Sequence, residues 1–324
     1  MHKAKIIGTG SYLPKKVVSN EDLAKRIETS DEWIKSRVGI SSRHMAGSDE
    51  TTAFMATQAA KAALIDANLS AEKIDLIVVG TSTPDHFMPS TATEVQANLS
   101  ITNCCPAFDI SAACAGFIYA MSVANQFFHS DRTQNVLVIG VDRMSRLLNW
   151  NDRATCVLFG DGAGAVVLQT SQDDSGILSS NIHADGAKKE LLYAPSMLSH
   201  APYDKTRQPH FLAMHGPRVM KSAVTKLVSC IEMLLSEHEL TSADIDWVIP
   251  HQANQRIIDA AAQKVGISPE KVIMTLETHG NTSAASVPLA LDVARRDGRV
   301  KKGDLVLLEA FGAGFVWGGI LLRY

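Results

Sequence analysis

The chain writes one short word twice. LSAEKID at residues 69–75 leads into the apolar run LIVVG, and LTSADID at residues 240–246 leads into WVIP, each after a stretch with helical spacing. Ile74-Asp75 recurs as Ile245-Asp246, an offset of 171 (245 − 74). Further on, VLVIGVD precedes FGDGAGAVVL, and LVLLEA runs into FGAGFVWGGILL, where Phe159 and Phe311 give an offset of only 152 (311 − 159). The shortfall (171 − 152) places an insertion of about 19 residues between Val141 and Phe159 in the front copy. Two copies of one α/β unit are the economical explanation. Their strands are apolar without polar alternation, which predicts sheets covered on both faces, with helices outside and two at the centre.

The spacing predicts a buried strand at residues 5–9 opening into a loop at 10–14, helices starting at Asn20 as cap and near Ser30, and a long helix from Thr51. Pro84 and Pro89 make TSTPDHFMPS a loop, ahead of a helix from Thr91. Residues 175–215, rich in Ser, His, Pro and Tyr, read as a connection with a surface excursion. The chain then divides into a front half, residues 1–172, and a rear half, residues 173–324.

Composition narrows the function. With 324 residues, 46% of them hydrophobic, the chain can bury a large core or two fused ones. A net charge of −3 supplies no basic field for nucleic acid. Five cysteines form neither a CxxC ladder nor an even disulfide framework, which points to a reducing compartment and away from structural zinc. The opening MHKAKIIGTGSYLP meets Gly and Pro before any long apolar run, so it reads as neither signal peptide nor anchor. No stretch is apolar enough to span a membrane, and a cytoplasmic protein is expected.

Chemistry is concentrated in three places. DISAACAG sets Cys114 among small residues ahead of an apolar helix, where the positive end of the peptide dipoles favours thiolate. His251 stands in HQAN and Asn281 in HGN, both in the rear half at element ends. A Cys with His and Asn suits two chemistries. In a cysteine hydrolase, His deprotonates the thiol and Asn orients the ring. In a condensing enzyme, Cys carries an acyl group while His and Asn donate to a thioester enolate, a task for which a neutral amide suits and a carboxylate does not.

Taken together, DISAACAGF, HQANQR, HGNTSAASVP, FGDGAGAVVL and FGAGFVWGG resemble the beta-ketoacyl-acyl carrier protein synthase III family of the thiolase superfamily, over essentially the whole chain. That resemblance implies a thiolase-like fold of five layers, α-β-α-β-α, and a homodimer. It implies transfer of a short acyl group, such as acetyl from acetyl-CoA, to Cys114, and then decarboxylative condensation with malonyl-acyl carrier protein supported by His251 and Asn281. No cofactor besides the acyl-CoA substrate is implied. The backbone N–H groups of Cys114 and Ala313 would form the oxyanion hole, with Ala313 where relatives carry Gly. Trp33, Arg37 and Arg153 would hold CoA, Asn254 its pantetheine arm, and Lys221 and Arg256 would dock the acidic carrier protein. Gln263 stands where some relatives have a basic residue. Phe87 and Met88 would close the partner's acyl pocket across a dimer interface. The remaining readings are a related acyltransferase of secondary metabolism, a cysteine thioesterase or hydrolase, and a catalytically silent acyl binder.

Overall fold

The computed structural model describes residues 3–129, 132–195 and 211–324. The front half builds a five-stranded sheet from β1 (Ala4–Tyr12), β2 (Leu76–Gly80), β3 (Ala107–Ile110), β4 (Asn135–Arg143) and β5 (Asp161–Thr170). Its helices are α1 (Asp31–Val38), α2 (Thr52–Asp66), α3 (Thr91–Asn98) and α4 (Gly116–Phe127). The rear half builds a four-stranded sheet from β6 (Gly176–Ala184), β7 (Trp247–Pro250), β8 (Leu305–Gly312) and β9 (Val316–Arg323), with α5 (Gly216–Glu237), α6 (Gln255–Val265) and α7 (Ser286–Arg296).

Strand order is β1-β5-β4-β2-β3 in one sheet and β6-β9-β8-β7 in the other. Both contain a corresponding parallel pair (β2 with β4, β7 with β8), and the pairings beyond β4 and β8 are antiparallel. Where β3 extends the first sheet, the second has a single parallel bridge between Val248 and Val272. The repeated word explains itself here. Asp75 accepts the backbone N–H groups of Gln134 and Asn135 at 2.9 Å each, and Asp246 accepts that of Leu305 at 2.8 Å, so each closing Asp fastens the first residue of the neighbouring parallel strand.

Alternation along the strands sorts side chains into layers. Val78 and Val138 face a central core with Phe117, Ile118 and Met121 of α4, while Ile77 and Ile139 face Met55 and Ala59 of α2. In the second sheet Leu308 faces the central core and Leu307 faces Leu227 and Ile231 of α5. Helices α4 and α7 therefore lie between two sheets whose outer faces are covered by α2 with α3 and by α5 with α6. Full burial of a side chain such as Phe117 or Ile118 stabilises the fold by about 1.5–3 kcal/mol. Asp292 of α7 ties the halves together, accepting the hydroxyls of Thr9 and Ser11 at 2.6 Å each.

Four expectations change. Ser19, not Asn20, caps the first short helix, because its hydroxyl reaches the N–H of Asp22. Strand β1 continues to Tyr12 through the stretch read as a loop, paired with β5 along its length. Residues 176–184, read as connection, form β6, an edge strand whose polar residues need only one covered side; residues 196–210 of that connection lie outside the described residues. Strand registers set Asp142 opposite Gly162 and Gly312 opposite Val316, so the offset falls from 170 (312 − 142) to 154 (316 − 162) and the insertion is shorter by three positions than the phenylalanines suggest.

Candidate active site

Each central helix is entered through the same strained turn. Ala113–Ala115 precede α4 and Ser283–Ala285 precede α7 as single 3-10 turns, and each turn opens with a residue at positive φ, Ala113 at 44° and Ser283 at 52°. Both turns reach a pocket of about 1400 Å³ where the two halves meet. Cys114, His251, Asn281 and Ala313 all stand on its wall, three segments of the rear half facing one of the front.

His251 follows β7, held by its backbone N–H to Glu309 O at 2.8 Å. Its Nδ1 lies 2.6 Å from Ser286 Oγ, and that oxygen already accepts the Gln252 N–H at 3.4 Å. The serine proton is therefore free to point at Nδ1, which leaves the ring hydrogen on Nε2. Burial pushes the imidazole down to about 3, so it is neutral at physiological pH and donates as a neutral ring. Asn281 is clamped by the inserted segment: its N–H reaches Leu158 O at 2.9 Å, and Gly160 N–H reaches its carbonyl at 3.0 Å. The side-chain oxygen accepts the Ser283 N–H at 2.9 Å, which commits Oδ1 inward and keeps the amide hydrogens available.

Cys114 corrects one expectation. It sits in the 3-10 turn, ahead of the first residue of α4, and burial pushes its thiol up to about 12. The residue is partly open to the pocket, yet its sulfur is surrounded by protein atoms, so desolvation outweighs the helix dipole and the resting group is a thiol. Ser283 Oγ lies 3.3 Å from Sγ. The turn between β8 and β9 comes equally close: a Cβ on Gly312 would stand 2.7 Å from Cys114 N, so only glycine lets that backbone pass. Sequence reasoning missed Ser283, Ser286 and Asp142, although Asp142 is the one charged residue in the run VLVIGVD and both serines lie within GNTSAAS.

Around the mouth the expected binding residues separate into two groups. Arg37, Phe87, Asn254 and Arg256 line the same pocket, whereas Trp33, Arg153, Lys221 and Met88 do not. Trp33 is half-buried, with the guanidinium carbons of Arg37 and Arg153 at 5.7 and 4.9 Å from its ring centroid. Asn254 spends its side-chain oxygen on capping α6 through Arg256 N–H at 2.9 Å. Arg256 itself reaches Ser36 O at 2.8 Å, tying α6 to α1, and Lys221 is exposed on α5. Phe87 and Met88 are 77% and 80% exposed, so neither belongs to the core. Among the described residues no cluster of three or more His, Cys, Asp or Glu could hold a metal ion.

Known proteins resemble the chain along nearly its whole length. Residues 108–186 match the family model described as 3-Oxoacyl-[acyl-carrier-protein (ACP)] synthase III, and residues 235–324 match the model of its C-terminal part. A beta-ketoacyl-[acyl-carrier-protein] synthase III of Xanthomonas campestris is 52% identical over 321 residues, covering 99% of this chain and 98% of the relative. Among solved structures, 3-oxoacyl-[acyl-carrier-protein] synthase III from Aquifex aeolicus superposes with a TM-score of 0.92 at 48% identity, covering 99% of this chain and 100% of that one. The priming beta-ketosynthase of the R1128 polyketide pathway superposes with a TM-score of 0.94 at 37% identity, covering 98% and 96%. A likeness of this extent, over a duplicated fold with a cysteine, a histidine and an asparagine on one pocket wall, shows that the chain belongs to the 3-oxoacyl-[acyl-carrier-protein] synthase III family of thiolase-fold condensing enzymes.

Proposed function

We propose that the protein joins a short acyl group from acyl-CoA, acetyl in the first instance, to malonyl-acyl carrier protein and so starts fatty-acid synthesis. Cys114 Sγ attacks the acyl-CoA carbonyl, CoA leaves as its thiol, and the acyl group stays on the enzyme as a thioester. Malonyl-carrier protein then loses carbon dioxide. The resulting enolate attacks the acyl carbonyl, forming the carbon–carbon bond and releasing Cys114. His251 through Nε2–H and Asn281 through its amide donate to the enolate oxygen, while the N–H groups of Cys114 and Ala313 receive the oxyanion of the acyl thioester.

The observation that carries this reading is the neutral imidazole of His251, turned into a donor by Ser286 and sharing a pocket wall with Asn281 and Cys114. A hydrolase needs its histidine as a base, and a ring held near 3 is a poor one. Trp33 with Arg37 and Arg153 offers a flat cationic seat for the adenine and phosphates of CoA, Asn254 keeps its amide hydrogens for the pantetheine arm, and Lys221 with Arg256 meets the acidic carrier protein. Phe87 and Met88 belong to a loop that a second copy covers in a homodimer, where they limit the partner's acyl pocket. Among the described residues no helix is long and apolar enough to cross a membrane, which fits a cytoplasmic enzyme acting on soluble thioesters. The test is product analysis with acetyl-CoA and malonyl-carrier protein. Acetoacetyl-carrier protein with one carbon dioxide per product supports the reading, whereas free acetate as the main product contradicts it. A panel of longer acyl-CoA primers separates a starter of fatty acids from a specialised acyltransferase.

A further inference from the structure

Asp142, the last buried residue of β4, is a carboxylate held entirely by neutral donors. Oδ1 accepts the hydroxyls of Thr81 and Thr83 at 3.2 and 2.9 Å and the Ser82 N–H at 2.8 Å, and Oδ2 accepts the Ala284 N–H at 3.1 Å. The backbone N–H groups of Ser82 and Ala284 can only donate, so both carboxylate oxygens are held as acceptors, and the two threonine hydroxyls, each accepting a backbone N–H of its own, keep their protons for Oδ1. A group that accepts from so many donors is ionised, and it is fully buried. Burial raises its affinity for a proton. The Ser283 hydroxyl reaches both this carboxylate and, at 3.3 Å, the sulfur of Cys114. One hydroxyl proton thus stands between a buried carboxylate and a buried thiol.

We propose that Ser283 and Asp142 form the proton path that activates Cys114: the thiol proton passes to Ser283 Oγ as the Ser283 hydroxyl proton passes to Asp142. Before transfer the thiol donates to Ser283 Oγ and the Ser283 hydroxyl to Asp142; afterwards Sγ is a thiolate and the serine hydroxyl donates to it across the same 3.3 Å. The thiolate attacks the acyl-CoA carbonyl. When the carbon–sulfur bond to CoA breaks, the same path returns the proton to the departing sulfur, which had shared that carbon with Sγ, and Asp142 is again a carboxylate. The proposal rests on Cys114 being the acyl acceptor. It leaves His251 with donation alone, since its Nδ1 is engaged by Ser286 and its ring holds a proton weakly. The groups facing the path are the hydroxyls of the 81–83 loop, the serine and amides of the 283–285 turn, Gly312 at the end of β8, and His251 after β7; Asp142 is the one that bears charge.

The test is the single-turnover rate of Cys114 acetylation by acetyl-CoA, read by rapid quench and intact mass from pH 5.5 to 9.5. Ser283→Ala is tolerable to the backbone because Ala113 holds φ 44° in the matching turn. It should acetylate about 100-fold more slowly at pH 7, with the gap closing as pH rises and hydroxide removes the thiol proton directly. Asp142→Asn should show the same profile; if it fails to fold, Ser283→Ala decides alone. Wild-type rates in Ser283→Ala at pH 7 would overturn the proposal, and so would a slowing by one factor at every pH, which marks a structural role. Absence of any acetyl group on wild-type Cys114 would instead overturn the reading of the site on which it rests.

Discussion

The junction of strand and central helix is built twice and finished differently. In the front half β2 ends at Gly80, and the entry to α4 presses so close that a Cβ on Gly80 would stand 2.4 Å from Gly116 C. In the rear half the positions matching Gly80 and Gly116, at offsets of 171 (251 − 80) and 170 (286 − 116), are His251 and Ser286, and they touch through a 2.6 Å hydrogen bond. Two glycines let one turn sink against the sheet and present a thiol. An imidazole and a hydroxyl hold the other turn off and fill the gap with an oriented donor. The turn itself is the same, with positive φ at Ala113 and Ser283, so the halves differ in the side chains set around one shared backbone device.

The comparison breaks most visibly at the rear donors. His251→Ala and Asn281→Ala should each lower carbon dioxide release from malonyl-carrier protein by about 10²–10³-fold. Acylation of Cys114 should stay within severalfold of wild type, since His251 and Asn281 donate to the enolate and not to the acyl-CoA carbonyl; equal loss of both steps would erase that division of labour. A second contrast lies at Glu309, whose counterpart in the front half, at an offset of 170 (309 − 139), is Ile139. Burial pushes Glu309 up to about 8, so the folded state keeps a proton that the unfolded chain has released above its ordinary value of 4.5. The Glu309 contribution to stability should therefore fall as pH rises from 4.5 toward 8, by up to about 1.4 kcal/mol per pH unit, against the opposite contribution that the buried His251 makes below 6.5. Urea denaturation of Glu309→Gln between pH 5 and 8 should lack that slope.

Gly80→Ala tests the front junction directly: it should destabilise the fold by about 1–3 kcal/mol in denaturant, because backbone cannot yield as a side chain does. The smallest effect belongs to Ser286→Ala, which leaves the fold intact and frees His251 Nδ1. Losing that bond is worth about 1 kcal/mol, so decarboxylation should slow about fivefold with acylation unchanged.

What could be read beforehand follows the same division. The repeat showed through because each closing Asp, Asp75 and Asp246, performs a local task that local residues spell out. Cys114, His251 and Asn281 were visible as polar or reactive groups in compact motifs. Strand β6 was hidden because an edge strand needs little apolar sequence. The state of Cys114 was misread for a different reason: dipole and spacing are local, whereas the burial that keeps the thiol protonated comes from segments far along the chain, the Ser283 and Gly312 turns among them. Asp142 and Ser283 acquire meaning only once the halves meet.

Peptide mapping after brief incubation with acetyl-CoA probes the meeting of the halves most directly. The account predicts acetyl on Cys114 in the wild type and equally in Asn281→Ala, and none in Cys114→Ser. Acetyl on Cys104 or Cys105 in its place, or an unmodified Cys114 throughout, would contradict it.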